Sequence, residues 1–296
     1  MANLKSLKLR IKSVKSTQKM TKAMKMVAAS RLKKAKHAVE ISRPYAEKIH
    51  EMVSELASNV AVRGNLNEKF PLLTGNGKNT THLVVILSSD RGLCGGLNTA
   101  TVKFAKNHIN NLISEGREVK ILCVGKKAYE QLKSLYGKRI IDHVFGIFRG
   151  IIEHKSAEEI SQKLVEKYAN NEFDVCEVIY SKFKSAIVQE QVCKQLIPVQ
   201  ANVPDGQEPA LESPMQYEPD QEEILHDLLP KSLTMQIYNE LLENSASEQG
   251  ARMAAMEAAS NNAGKMIKNL TLVYNRTRQA NITKELIDII SGANTV

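Results

Sequence analysis

The chain has no tryptophan, and aromatic residues make up only 5% of its 296 positions. No apolar run approaches the roughly 20 residues that a membrane-spanning helix requires, so direct membrane insertion is not expected. The four cysteines, Cys94, Cys123, Cys176 and Cys193, show no C-x-x-C spacing. That argues against a disulfide framework or a zinc finger, and for a reducing compartment. Seven histidines are scattered, and H-E-x-x-H is absent. Neither G-x-G-x-x-G nor G-x-x-x-x-G-K-[ST] occurs, so no nucleotide loop is marked. No Ser-His-Asp, Cys-His or paired-carboxylate arrangement stands out, and an enzyme reading would rest on fold analogy alone. We therefore assign no catalytic, cofactor-binding or metal-ligating residue from the sequence. Asn79-Thr80-Thr81 and Asn281-Ile282-Thr283 fit the glycosylation pattern without a secretory signal, and read as chance matches.

Acidic residues are nearly missing from one end. Residues 1–40 carry twelve Lys or Arg, and Glu40 is their only acid. The formal net charge of +9 therefore belongs to the N-terminal stretch. A basic amphipathic N-terminus can be a transit peptide, a nucleic-acid-binding face, or a surface that meets solvent or acidic partners. The heptads run past residue 50, further than a removable presequence needs. No aromatic precedes Tyr45 and no nucleic-acid motif is present. Composition alone favours a solvated face.

What the sequence does have is two long seams. From Leu233 to Ile290, the residues Met256, Ala259, Ala263, Met266, Leu270, Val273, Thr277, Ala280 and Ile287 keep a three-four spacing, with Lys284 out of character. Such a helix would extend about 85 Å at 1.5 Å per residue. Small residues crowd its middle, among them Ala246, Ser247, Gly250, Ala254, Ala259, Ala263 and Gly264, and would let another backbone approach closely. The N-terminal seam runs from Leu4 through Leu7, Ile11, Val14, Gln18, Thr21, Lys25, Ala28 and Leu32 to Val53 and Leu56. Met20, Met24 and Val27 are expected to widen it, the polar stretch from Gln18 to Lys25 to set register, and Pro44 to kink or split the helix. Two seams of similar length imply that the chain ends pair with each other, antiparallel, around an inserted domain.

Between them the period changes. Residues 82–87, 119–124, 140–145 and 175–180 read as strands; 99–113, 126–135 and 157–169 read as helices. That alternation predicts a Rossmann-like open α/β sheet. Residues 183–217 read as short strands forming an edge hairpin among Pro198, Pro204, Pro209 and Pro214. Asp220 and Glu223 resemble a capping box for the terminal helix, with Pro230 interrupting its first turns. The expected layout is a helix over 1–58, a linker over 59–80, the α/β domain over 81–217 and a helix over 220–296. The glycine-rich stretch from Ser88 to Asn98 reads as a tight strand–helix turn, with the Cys94 thiol at least partly exposed.

Four stretches resemble one family, the gamma subunit of F-type ATP synthase. They are Thr17 to Ser30, the Ser89–Asn98 loop, Ala251-Arg252-Met253-Ala254-Ala255-Met256 with Ala258-Ala259-Ser260, and Ile282 to Asp288 leading to Ser291-Gly292-Ala293. The resemblance spans the whole chain and is most specific at its ends. It implies a rotating central stalk whose paired terminal helices turn inside a ring of alpha and beta subunits. Catalysis would occur on beta, and the α/β domain would sit near an epsilon-type subunit and the membrane c-ring. Carried over residue by residue, it implies that Lys22, Met24 and Lys25 face acidic loops on beta. Arg278 and Gln279 would make polar contacts to the ring, and Arg252, Thr283 and Glu285 would serve coupling. Lys25 stands where the family often has an acid or polar residue. The loop at Cys94 would pass each beta subunit once per turn. The want of a presequence favours the cytoplasmic face of a bacterial inner membrane, with the matrix side of a mitochondrial inner membrane as the alternative. A basic coiled-coil nucleic-acid-binding protein and a Rossmann-like nucleotide-binding enzyme are the rival readings.

Overall fold

A computed structural model describes residues 4–62, 70–199 and 221–293, with the side chains of 59–62 and 291–293 excepted. Their element order is α1 (Leu4–Val62), a single turn at Pro71–Thr74, β1 (Thr81–Leu87), α2 (Leu97–Ser114), β2 (Glu118–Val124), α3 (Lys126–Tyr136), β3 (Ile140–Val144), α4 (His154–Ala169), β4 (Val175–Phe183), β5 (Gln189–Ile197) and α5 (Gln221–Ala293). The chain divides into two compact units, Ser30–Ala251 and Met1–Ala29 with Arg252–Val296. Both long helices contribute to each.

In the larger unit the five strands lie in the order β3-β2-β1-β4-β5. β1 pairs in parallel with β2 and β4, β2 in parallel with β3, and β4 antiparallel with β5. A strand covered on both faces needs apolar residues at every position, which is why β1 reads Leu83-Val84-Val85-Ile86-Leu87 without alternation. Leu83, Val85 and Leu87 meet Ile160 and Leu164 of α4 with Leu233, Ile237 and Leu241 of α5. Val84 and Ile86 meet Val102 and Ile109 of α2 with Ala128 and Leu132 of α3. Ile49, Val53 and Leu56 of α1 cluster with Leu225 and Leu229 of α5. The Ser42 hydroxyl donates to Asn239 Oδ1 at 2.7 Å, a second tie between those helices within this unit.

Three expectations change. Pro44 and Pro230 interrupt neither helix. A proline frees the carbonyl four residues earlier, and those carbonyls belong to Glu40 and His226, both exposed residues that water can reach. The edge hairpin is made with one nine-residue strand, β5, and not with short strands; residues 200–217, with their prolines, and Asp220 lie outside the described residues. Within the stretch read as a linker, Phe70 is buried, and Leu72 O accepts from Val199 N at 2.8 Å. The Tyr168 hydroxyl donates to Pro71 O at 2.8 Å.

In the smaller unit α1 and α5 run antiparallel. Gln18 Nε2 donates to Ser260 O at 3.4 Å, and Lys25 Nζ lies 2.6 Å from Glu257 Oε1. The polar seam residues therefore do make register-setting contacts. A Cβ added at Gly264 would come within 3.1 Å of Gln18 Nε2, which measures how close the helices approach. Leu7, Thr21 and Ala28 on α1 are buried, as are Met256 and Ala263 on α5.

The seam of α5 departs from its expected phase. Beyond Gly264 the less exposed positions are Ile267, Leu270, Tyr274, Thr277 and Asn281, whereas Met266, Val273 and Ala280 are exposed. Both series have three-four spacing and share Leu270 and Thr277, so spacing could not choose between them. On α1, Met20 and Val27 are 61% and 55% exposed and do not widen the seam; Met24 is half-buried.

Candidate functional site

The smaller unit has two surface features. Seven lysines and arginines of α1, at positions 5, 8, 10, 12, 15, 19 and 22, are exposed. At the other end of α5 every residue from Ile282 to Ile290 is exposed, and Ile282, Leu286, Ile287, Ile289 and Ile290 are 48–67% accessible. The helix is apolar there, and Leu4, the first described residue of α1, lies opposite a point further back along α5. An apolar helix end without a partner of its own marks an interaction surface.

Lys22 is exposed and Met24 half-buried. Lys25 is paired within the chain to Glu257, a half-exposed ion pair of the kind worth about 0–1 kcal/mol. Arg252 is half-buried. Arg278, Gln279, Thr283 and Glu285 are exposed, and the Thr283 hydroxyl donates to Gln279 O at 3.0 Å. These four and Lys22 are accessible to a partner.

The Ser88–Asn98 loop belongs to the larger unit and is folded inward by its polar groups. Asp90 is buried; Oδ1 accepts from Lys126 N at 3.3 Å, and Oδ2 accepts from Gly146 N at 3.0 Å and Phe148 N at 3.1 Å. A carboxylate thus occupies backbone donors at the carboxyl ends of the strands, where a doubly wound sheet would otherwise receive a phosphate. Gly125, at φ 103°, lets Ser88 pass; a Cβ there would collide with the Ser88 carbonyl.

Cys94 corrects the expectation of an exposed thiol. It is 1% exposed, clusters with Leu97 and Ala251, and its Sγ lies 3.1 Å from Asn98 Nδ2. Asn98 also accepts from Ser89 N at 3.1 Å through Oδ1, which turns the loop inward. The exposed residue is its neighbour Leu93, 60% accessible with φ 67°.

Sequence reasoning missed the polar face that α5 buries against the sheet edge. Asn244 Oδ1 accepts from Ser181 N at 3.3 Å, the Ser247 hydroxyl donates to Ser181 O at 2.7 Å, and Glu240 Oε1 lies 3.1 Å from Lys194 Nζ. Burial pushes the Glu240 carboxyl up to about 7, against the pull of Lys194. Nothing in helical spacing separates such residues from solvated ones, although the small Ser247 and Gly250 hint at a close approach; a Cβ on Gly250 would lie 2.9 Å from the Phe183 ring.

With this arrangement in hand, the chain can be set beside known proteins. A family model described as ATP synthase matches residues 3–296. The ATP synthase gamma chain of Pelagibacter ubique is 46% identical over 296 residues, and that of Beijerinckia indica 48%, each over the full length of both chains. Among solved structures, a chain of the Tetrahymena thermophila mitochondrial ATP synthase central stalk and c-ring superposes with TM-score 0.58 at 27% identity, covering 81% of this chain and 99% of that one. A chain of the Euglena gracilis mitochondrial enzyme superposes with TM-score 0.65 at 18% identity, covering 99% and 94%, a likeness of fold. The chain belongs to the ATP synthase family. Its place there is that of the gamma chains. Among the described residues no helix is long and apolar enough to cross a membrane.

Proposed function

We propose that this chain is a non-catalytic coupling shaft. Ion-driven rotation turns it inside a ring of alpha and beta subunits, and its asymmetric faces bias three beta sites toward different nucleotide affinities. That is conformational coupling, in which one element favours different states of distant sites. The observation that carries the reading is the exposed apolar end of α5 from Ile282 to Ile290. Among the described residues it has no partner within the chain, and it suits a greasy bearing in the ring. Lys22, Met24, Arg278, Gln279, Thr283 and Glu285 then contact alpha and beta subunits, and Arg252 serves coupling. Lys25, already paired to Glu257, contributes to the shaft as well as to the contact. The α/β domain, which we bound at 81–217 between helices ending near 58 and starting near 220, faces an epsilon-type subunit and the c-ring. The assembly lies peripherally on the cytoplasmic face of a bacterial inner membrane.

Mixed with purified alpha and beta subunits of a bacterial ATP synthase, the chain should co-elute with them as one assembly. By itself it should turn over no ATP. Failure to enter the assembly, or turnover by the chain when free of beta subunit, overturns the proposal.

A further inference from the structure

Three residues far apart in sequence meet where α2 crosses the open edge of the sheet. His108 comes from α2, Glu177 from β4 and Cys193 from β5. The β4–β5 register sets Ile179 opposite Cys193 and Gln195 opposite Glu177, so Glu177 and Cys193 are diagonal neighbours on one face. His108 Nε2 lies 2.8 Å from Glu177 Oε2 and 3.6 Å from Cys193 Sγ. One nitrogen, one carboxylate oxygen and one sulfur all lie within 4.8 Å of one another. We propose that His108, Glu177 and Cys193 form a zinc-binding site that pins α2 to the β4–β5 edge.

The donor set argues for zinc over the hard cations. Calcium and magnesium want oxygen, whereas imidazole and thiolate suit a borderline ion held tetrahedrally. With Zn–S about 2.3 Å and Zn–N about 2.0 Å, the sulfur–nitrogen edge of a tetrahedron is about 3.5 Å, close to the 3.6 Å found. The nitrogen–oxygen edge would be about 3.4 Å and the sulfur–oxygen edge about 3.6 Å, so the Glu177 carboxylate must turn away from His108 and toward Cys193 to complete the site. The His108 and Glu177 side chains are 23% and 17% exposed, which leaves the fourth position to water.

His82 supports the site without ligating. Its Nε2 lies 2.7 Å from Asn79 Oδ1 and 3.0 Å from Arg117 Nη1, which fix the ring, and its Nδ1 lies 3.5 Å from Glu177 Oε2, beside that carboxylate. Without metal, hydrogen bonds to Cys193 and Glu177 hold the His108 imidazole protonated, up to about 10. Zinc must displace the Nε2 proton and take Cys193 as thiolate, so binding releases protons to solvent and strengthens as pH rises. The spacing of 108, 177 and 193 matches no linear metal motif, which is why the sequence conceals the cluster.

The test titrates Zn2+ into the full chain, stripped with chelator and kept reduced, against a chromophoric competitor. One equivalent should bind, and Co2+ in its place should give a thiolate-to-cobalt charge-transfer band with the intense visible bands of tetrahedral cobalt. Cys193→Ser should abolish the charge-transfer band. Glu177→Gln should weaken zinc by roughly 100-fold, and His82→Gln by about 10-fold. Zinc should raise the melting temperature of the wild type and not that of Glu177→Gln, a readout that survives if Cys193→Ser fails to fold. No zinc binding tighter than millimolar, or binding of equal strength in Glu177→Gln, overturns the site and leaves the cluster a hydrogen-bonded knot. A charge-transfer band that persists in folded Cys193→Ser also overturns it.

Discussion

Replacing Glu240 by Gln should make the α5–sheet contact more stable, and only above mildly acidic pH. Glu240 is 3% exposed, and burial lifts its carboxyl from an ordinary 4.5 to about 7 although Lys194 stands 3.1 Å away. A folded-state value above the unfolded one means that the folded chain holds the proton between those two pH values. The stabilisation is complete below about 4.5 and is lost as pH rises through about 7. At 1.36 kcal/mol for each pH interval of one, the loss is on the order of 3 kcal/mol, or roughly 100-fold in an opening equilibrium. Glutamine keeps the shape and stays neutral, and Lys194 is exposed enough to remain hydrated. Hydrogen exchange of the β4 and β5 amides, corrected for intrinsic rates, reads the effect locally. The variant should match wild type near pH 4.5, gain progressively to about pH 7, and hold that gain to pH 8.5. Taking the difference removes the contribution of groups that both proteins share, His108 among them. A difference that stays constant from pH 5 to 8.5 refutes the assignment of a buried, proton-holding Glu240.

Two other outcomes follow from the helix pair. Ala263 is 8% exposed beside a contact where even a Gly264 Cβ would be crowded; Ala263→Leu should cost on the order of 1–3 kcal/mol of helix pairing by overpacking, measured as faster exchange of the α1 amides before residue 29, and an unchanged rate would reject the tight shaft. Because Ile267 faces inward and Met266 outward, Ile267→Ala should speed exchange in that unit by several-fold and Met266→Ala should not; the reverse order would restore the phase expected from spacing.

The fold was legible where burial leaves a one-dimensional trace. The run Leu83 to Leu87 announces a strand covered on both faces, and the α1 seam from Leu4 to Leu56 matches the less exposed positions turn by turn. The α5 seam failed at Met266 and Val273 because that stretch offers two apolar series a single residue apart; only the partner helix selects one. Cys94 failed because glycines mark a turn without saying which side chain it folds inward, and Asn98 settles that by hydrogen bonding four residues away. The buried acids of α5 and the knot of His108, Glu177 and Cys193 depend on strand register and were invisible. The family resemblance implies which residues would face partners, and the structure adds which of them are exposed.

The most direct test of the rotor account is a reversible lock. Lys22→Cys, on the exposed face of α1, is combined with a cysteine on an acidic loop of beta in the reconstituted complex. A disulfide requires the two Cα atoms to come within about 7 Å, so its formation alone places α1 against beta. Oxidation should form the bridge and abolish both ATP turnover and ATP-driven ion pumping, and reduction should restore both. A cross-linked complex that keeps full turnover would contradict rotation of this chain against beta.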